Sequence, residues 1–228
     1  MHWLMQAARR RVPVLPGVIE AWLKRDVVDA ETFAELTDEL KAKAFTVSGQ
    51  AWAALLEDLY LAIYRAIATG MTASDWAREV WPKIAEQYGE YGAAVAARLD
   101  LIFRTNVQAA YAAGRYSAMF ARDMLVLYPY WRYRAILDTR VRPEHRALHG
   151  SVFRKDDPAA RGYLPPLGFN CRCVAEELDD EDVRAGGWTV REGSALYADP
   201  AIGPPPPGWD TDRVSALVPA ALRFIPSR

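Results

Sequence analysis

Cysteine is nearly absent from this chain: two thiols in 228 residues, Cys171 and Cys173. Two cysteines one residue apart cannot staple a secreted scaffold, and joining them to each other would close a very tight ring. The sequence therefore predicts reduced thiols in a reducing compartment. Excess charge of either sign is missing too, with 28 Lys and Arg against 29 Asp and Glu and a formal net charge of -1. That excludes a protein that coats nucleic acid through global positive charge, while leaving room for a local basic patch. No run approaches the ~18 uncharged apolar residues of a membrane-crossing helix. The best stretch, residues 55–67, is broken by Glu57, Asp58 and Arg65. The opening residues reach Arg9, Arg10 and Arg11 without the apolar core of a secretory leader. The expectation is a soluble protein made in a cytoplasm, with no membrane partner.

What is present is enough for a core: 51% apolar residues, eight tryptophans and fifteen prolines. Helical periodicity dominates the first half. Residues 15–45 carry apolar positions at a broken helical period, with Asp29 and Thr37 as helix starts. Trp52, Leu55, Leu56, Leu59, Ile63, Ala66 and Ile67 make one apolar face that Gly70 ends. Thr72 with Asp75 reads as a cap for a short helix carrying Trp76, Val80 and Ile84, in which Pro82 predicts a kink or break. A longer helix is expected from about residue 93 to 124. Its apolar stripe includes Val95, Leu99, Ile102, Phe103 and Ala110, and Arg104, Thr105, Asn106 and Gln108 form a polar face. That face is either solvated or a contact surface for a partner.

At Tyr128-Pro129 the character changes. Trp131, Tyr133, Ala135 and Leu137 alternate with Arg132, Arg134 and Ile136, which predicts a strand with a basic outer face able to meet DNA or a partner through Arg132 and Arg134. Weaker strand signals lie at 173–175 and 188–191, in a region rich in proline and glycine. Pro200 and Pro204 to Pro207 read as a polyproline spacer. The fold class expected is α+β, a helical N-terminal half followed by a small loop-rich β-containing module. The organisation expected is a helical region 1–125, the module 126–198 and a Pro-rich C-terminal tail 199–228. A module of that size is marginal by itself and should pack on the helices or be pinned by a ligand or metal.

Two of the three histidines and both cysteines fall between His145 and Cys173. His145 and His149 are four apart and would share one face of a helical turn. With Cys171 and Cys173 they make a candidate zinc set, provided a turn brings the two thiolates to the same side. The same residues also read as packed thiols with histidines bonded to backbone carbonyls. Catalysis is a further alternative: two histidines among Arg140, Arg142 and Arg146 are the kit of a nuclease-like effector, and Cys171 beside a histidine is that of a transferase-like one. A DNA-binding module is another, since residues 132–161 hold eight Lys or Arg against four Asp or Glu.

The run from Asp138 through Arg140, Arg142 and His145 to Gly150, followed by Pro165-Pro166 and Asn170-Cys171-Arg172-Cys173, resembles the phage head morphogenesis, or Mu F-like, family of minor head proteins. In that family D-x-R-x-R-x-x-H-x-x-L-x-G precedes P-P-x-x-x-N-C-R-C. Arg104-Thr105 with Ala110-Tyr111 and Gly114-Arg115 is similar to the family's R-T-x-x-x-x-A-Y-x-x-G-R stretch, and residues 43–49 to its A-F-x-V-A-G segment. The resemblance covers roughly residues 15–180. It implies a non-enzymatic minor capsid protein of a phage or prophage that meets the portal and other head or scaffold proteins during procapsid assembly, in the host cytoplasm and then inside the capsid. It also implies that DNA is a partner of some members. Relatives carry a set of four metal-like ligands, of which His145, Cys171 and Cys173 are kept here, leaving His149 or water as the fourth.

Overall fold

The computed structural model describes residues 16–28, 30–36, 44–45, 47, 53–88 and 92–210. The apolar stripe ending at Gly70 forms helix α3 (Ala53–Thr69), and Gly70 stops it with a φ of 67° that L side chains avoid. Thr72 caps α4 (Ala73–Tyr88): the Asp75 N–H donates to its Oγ1 at 3.2 Å and its hydroxyl donates back to the Asp75 carboxylate at 2.8 Å. The break expected at Pro82 does not occur. The ring lies on the exposed side of α4, where losing one N–H does not end the helix. Ahead of these, α1 (Pro16–Leu23) and α2 (Ala30–Glu35) are interleaved with two very short strands, β1 (Asp26–Val27) and β2 (Ala44–Phe45), paired in parallel. The purely helical expectation for that stretch is corrected there. The helix starts proposed at Asp29 and Thr37 lie outside the described residues.

The long helix α5 (Ala93–Met119) ends earlier than its pattern suggests, and α6 (Arg122–Leu127) follows after a turn at Phe120 and Ala121. The helix feeds two cores. Its first part packs Leu99, Phe103 and Ala110 with Val18, Trp22, Leu56, Ile63, Trp76 and Val80. Its last turns place Tyr116 and Met119 with Trp131, Tyr133, Phe153, Leu164 and Leu196. Trp22 stacks on Tyr60 at 5.0 Å between ring centroids, and Trp76 tilts against Phe103 at 5.6 Å.

The second core lies on a four-stranded sheet in the order β5-β3-β4-β6, formed by β3 (Tyr130–Arg134), β4 (Val152–Arg154), β5 (Val174–Leu178) and β6 (Val190–Arg191). β3 runs antiparallel to β4, with Trp131 opposite Phe153, and antiparallel to β5, with Arg132 opposite Glu176; β4 and β6 are parallel. The alternation is the predicted one as far as Arg134, with Trp131 and Tyr133 fully buried and Arg134 exposed, but the strand stops there and Leu137, expected on the inner face, is exposed. Three short helices decorate the sheet: α7 (Pro143–Leu148), α8 (Pro158–Arg161) and α9 (Asp180–Ala185). A 3-10 turn at Gly193–Ala198 follows.

Residues 199–210 do not extend as a spacer. The Tyr163 hydroxyl donates to the Gly203 carbonyl at 2.8 Å, Pro205 is buried, and Trp209 meets Phe169 edge to face at 5.4 Å. Enough aromatic surface lies beneath this stretch to hold it down, which proline count alone does not reveal.

α1 crosses α5 where Gly17 faces Gly114. A Cβ on Gly114 would lie 2.6 Å from both the backbone nitrogen and Cγ2 of Val18. Gly114→Val should therefore cost about 2 kcal/mol of folding stability through forced separation of the helices. Urea unfolding checks this, and an unchanged midpoint would place α1 elsewhere.

Candidate functional site

β3 ends at Arg134, and the chain then turns through the family-like run. The Ala135 N–H donates to His149 Nδ1 at 3.1 Å, so His149 is tied to the strand end. α7 begins with Pro143 at its first position, where the missing N–H is not needed. Its inner face carries His145 and Leu148, three apart and both buried. His149 falls just beyond the helix, as its C-cap. The shared face expected for the two histidines is thus lost, and His149 does not join the cysteines.

Cys171 and Cys173 do join His145. Its Nδ1 stands 3.7 Å from the Cys171 sulfur and 3.5 Å from the Cys173 sulfur, with all three side chains buried. Two thiols at this spacing reach one point because the chain bends. Gly168 has φ 143°, Asn170 has φ 56°, and the Cys171 N–H donates to the Gly168 carbonyl at 3.2 Å. Glycine and asparagine are the residues that tolerate the left-handed region, which accounts for both at these positions.

Around this cluster the remaining motif residues act as clamps. Asp138 accepts two hydrogen bonds from Arg172, both at 2.7 Å, and one from the Arg140 N–H at 3.0 Å. Arg146 donates to the Asp138 carbonyl at 2.9 Å, and Arg142 donates to the Phe169 carbonyl at 2.6 Å. Gly150, at φ 83°, donates its N–H to the Tyr133 carbonyl at 2.9 Å. Pro165 and Pro166 are buried, and the Pro165 carbonyl accepts from the Tyr116 hydroxyl of α5. The Gln108 side-chain amide, also on α5, donates to the Cys171 carbonyl. Gln108 therefore belongs to this site and not to a solvated face.

The electrostatics follow from these contacts. The Arg172 hydrogen bonds hold the Asp138 carboxyl well below the usual carboxylate range, against a smaller opposing effect of desolvation. The Cys173 thiol donates toward Cys171 and, with a smaller contribution from His145, holds Cys171 down to about 4, while Cys173 is pushed up by the same pairing. Tyr133 lies beside both sulfurs on β3, and burial raises its phenol strongly. Sequence reasoning placed Tyr133 in the core but missed its place in the cluster. Its inward register on β3 is the signal that marks it.

The cluster forms the floor of a cleft of about 530 Å³ between α5 and the module. Arg104, Arg140, Arg142 and Arg172 line it, with Leu101, Ile136 and Val141 as apolar wall and Asp100 within it. Arg104 pairs with Asp100 at 2.8 Å, whereas Arg140 is exposed and keeps only a 3.7 Å approach to Asp138. The basic strand face expected at Arg132 and Arg134 shares one carboxylate, Glu176. Arg132 donates to Glu176 at 2.8 and 2.5 Å and covers the Trp188 ring at 3.8 Å, and Arg134 reaches the same carboxylate at 3.5 Å. The acid comes from the neighbouring strand β5, a pairing invisible to a one-strand pattern.

Residues 57–176, which contain α4, α5 and this whole cluster, match the family model described as Phage Mu protein F like protein. The chain belongs to that family. It is 32% identical over 170 residues to "Putative capsid assembly protein F" of Escherichia phage Mu, a match covering 68% of this chain and 38% of that protein. It is 34% identical over 166 residues to the Mu-like prophage FluMu F protein of Haemophilus influenzae, covering 68% and 40%. A shorter match, 49% identical over 49 residues, joins it to an uncharacterized protein of Methanocaldococcus jannaschii, covering 21% of this chain and 8% of that one. The chain thus spans about two fifths of the length of the two Mu-type relatives. No solved structure matches it.

A carboxyl whose proton affinity folding lowers stabilises the fold above its ordinary value near ~4, and that contribution fades as pH falls toward the folded value. Asp138→Asn should therefore lower the Tm at neutral pH, with the gap from wild type closing progressively below about pH 4. Melting curves across that range decide it. A gap independent of pH would remove the Asp138–Arg172 pair as its cause.

Proposed function

We propose that this Mu F-like chain is a non-enzymatic head-assembly protein of a phage or prophage. It meets the portal and other head proteins as the procapsid forms, first in the host cytoplasm and then inside the capsid. The observation that carries this reading is the relation to the phage Mu F protein across 68% of the chain, together with a family-model match over residues 57–176 that spans Asp138 to Cys173.

The cleft between α5 and the module supports a protein partner. Exposed Arg140 and the Arg142 guanidinium stand over an aliphatic wall of Leu101, Ile136 and Val141, which suits a segment carrying both carboxylates and aliphatic side chains. DNA is the less suited occupant. Among the described residues no Phe, Tyr or Trp lines the cleft for base stacking, and the Asp100 carboxylate stands in it. The same geometry argues against the effector reading. His149 is engaged by the Ala135 N–H, and the Cys171 sulfur is buried and held by Cys173 and His145.

The test is capture of the portal protein encoded in the same genome. Wild-type chain should bring it down at moderate salt, and the Arg140→Glu variant, changed at an exposed side chain, should weaken capture about tenfold while melting normally. Undiminished capture would move the contact off the cleft. Absence of capture by wild type, with heads assembling normally without the chain, would contradict the assembly role.

A further inference from the structure

His145 Nε2 is buried and without a hydrogen-bond partner among the described residues, and the buried Tyr133 hydroxyl has only the two sulfurs beside it. A buried polar atom left unsatisfied costs free energy, and such atoms are rare in native cores. Here the two groups belong to side chains that meet one pair of sulfurs. The spacing of the three donor atoms has a specific meaning as well. Bond lengths of about 2.3 Å to sulfur and about 2.05 Å to nitrogen, opened to the tetrahedral angle, separate the two donors by about 3.6 Å. The Nδ1-to-sulfur distances are 3.7 and 3.5 Å, and all three donor atoms lie within 4.8 Å of one another.

We infer that His145 Nδ1, Cys171 Sγ and Cys173 Sγ form a zinc site, with the fourth position facing the cleft and His149 outside the set. Two thiolates and one imidazole form a soft donor set that suits zinc and disfavours magnesium or calcium. The surroundings become intelligible on this assignment. With Nδ1 committed to the metal, Nε2 carries the proton and is directed toward the Glu144 carboxylate, 4.0 Å away, as histidine ligands commonly are. Tyr133, beside both sulfurs, acts as a positioning residue whose hydroxyl donates to thiolate. The ion would staple α7 to the turn before β5.

The test uses the full chain purified under reducing conditions from zinc-supplemented cells. Elemental analysis should find one zinc per chain, and X-ray absorption should show two sulfur and additional nitrogen or oxygen neighbours. Replacement by cobalt should give the visible bands of a tetrahedral thiolate site. Strong chelation should lower the Tm, and added zinc should restore it. Cys171→Ser and Cys173→Ser should each weaken zinc binding at least tenfold. His149→Gln should keep full stoichiometry, and Tyr133→Phe should keep the ion with affinity reduced about tenfold. Absorption spectroscopy on wild type decides the ligands even where a cysteine variant fails to fold. Wild-type chain that neither carries zinc nor takes up cobalt, a shell without sulfur, or loss of the ion in His149→Gln would overturn the assignment.

Discussion

The ammonium of Lys155 is the tie on which the architecture depends. Only 1% exposed, it donates to the Met119 carbonyl at the end of α5 at 2.7 Å, to the Met124 carbonyl of α6 at 3.5 Å, and to the Glu177 carboxylate of β5 at 2.6 Å. Its own backbone N–H donates to the Pro129 carbonyl, and its carbonyl accepts from Arg161. Burial lowers the lysine's pKa and Glu177 opposes that shift, so the charge persists only because acceptors surround it. One residue after β4 therefore closes the open end of α5, orients α6 and pins β5.

Everything at the candidate site follows from that junction. With its end fixed, α5 supplies Tyr116, Met119 and the neighbouring Phe120 to the core of the module, and Tyr116 holds the Pro165 carbonyl. About two to four turns before Tyr116 the same helix presents Leu101, Arg104 and Gln108 as a wall of the cleft. The module contributes the facing wall, where Asp138, Arg142 and Arg172 lock two loops together over His145 and the cysteines. The site is thus shared between the helical half and the sheet, and neither holds it alone.

Much of this was legible in the sequence where periodicity is strong. The stripe of α3, the Thr72 cap, the alternation of Trp131 and Tyr133, and the meeting of His145 with Cys171 and Cys173 all follow from local pattern or family resemblance. What escaped depends on partners distant in sequence. α5 stops at Met119 because a lysine 36 residues later takes its carbonyl. The central strand β4 has only three residues, too few for a period to register. The run of acids from Glu176 to Asp182 carries no apolar period and conceals α9, whose start is a reciprocal cap between Asp179 and Asp182. Spacing alone makes His149 a ligand candidate because it fixes only a helical face, and α7 ends one residue too soon. A one-strand pattern makes Arg132 and Arg134 a free basic face because their acid arrives from another strand.

The claim that one buried lysine couples the helical half to the module is tested most directly by native-state hydrogen exchange on Lys155→Met. The account predicts that amides of residues 116–120 and 130–134 lose protection together, by about 3 kcal/mol of opening free energy, as expected when one partner of a buried charge cluster is removed. Protection unchanged in both segments, or lost in only one of them, would contradict it.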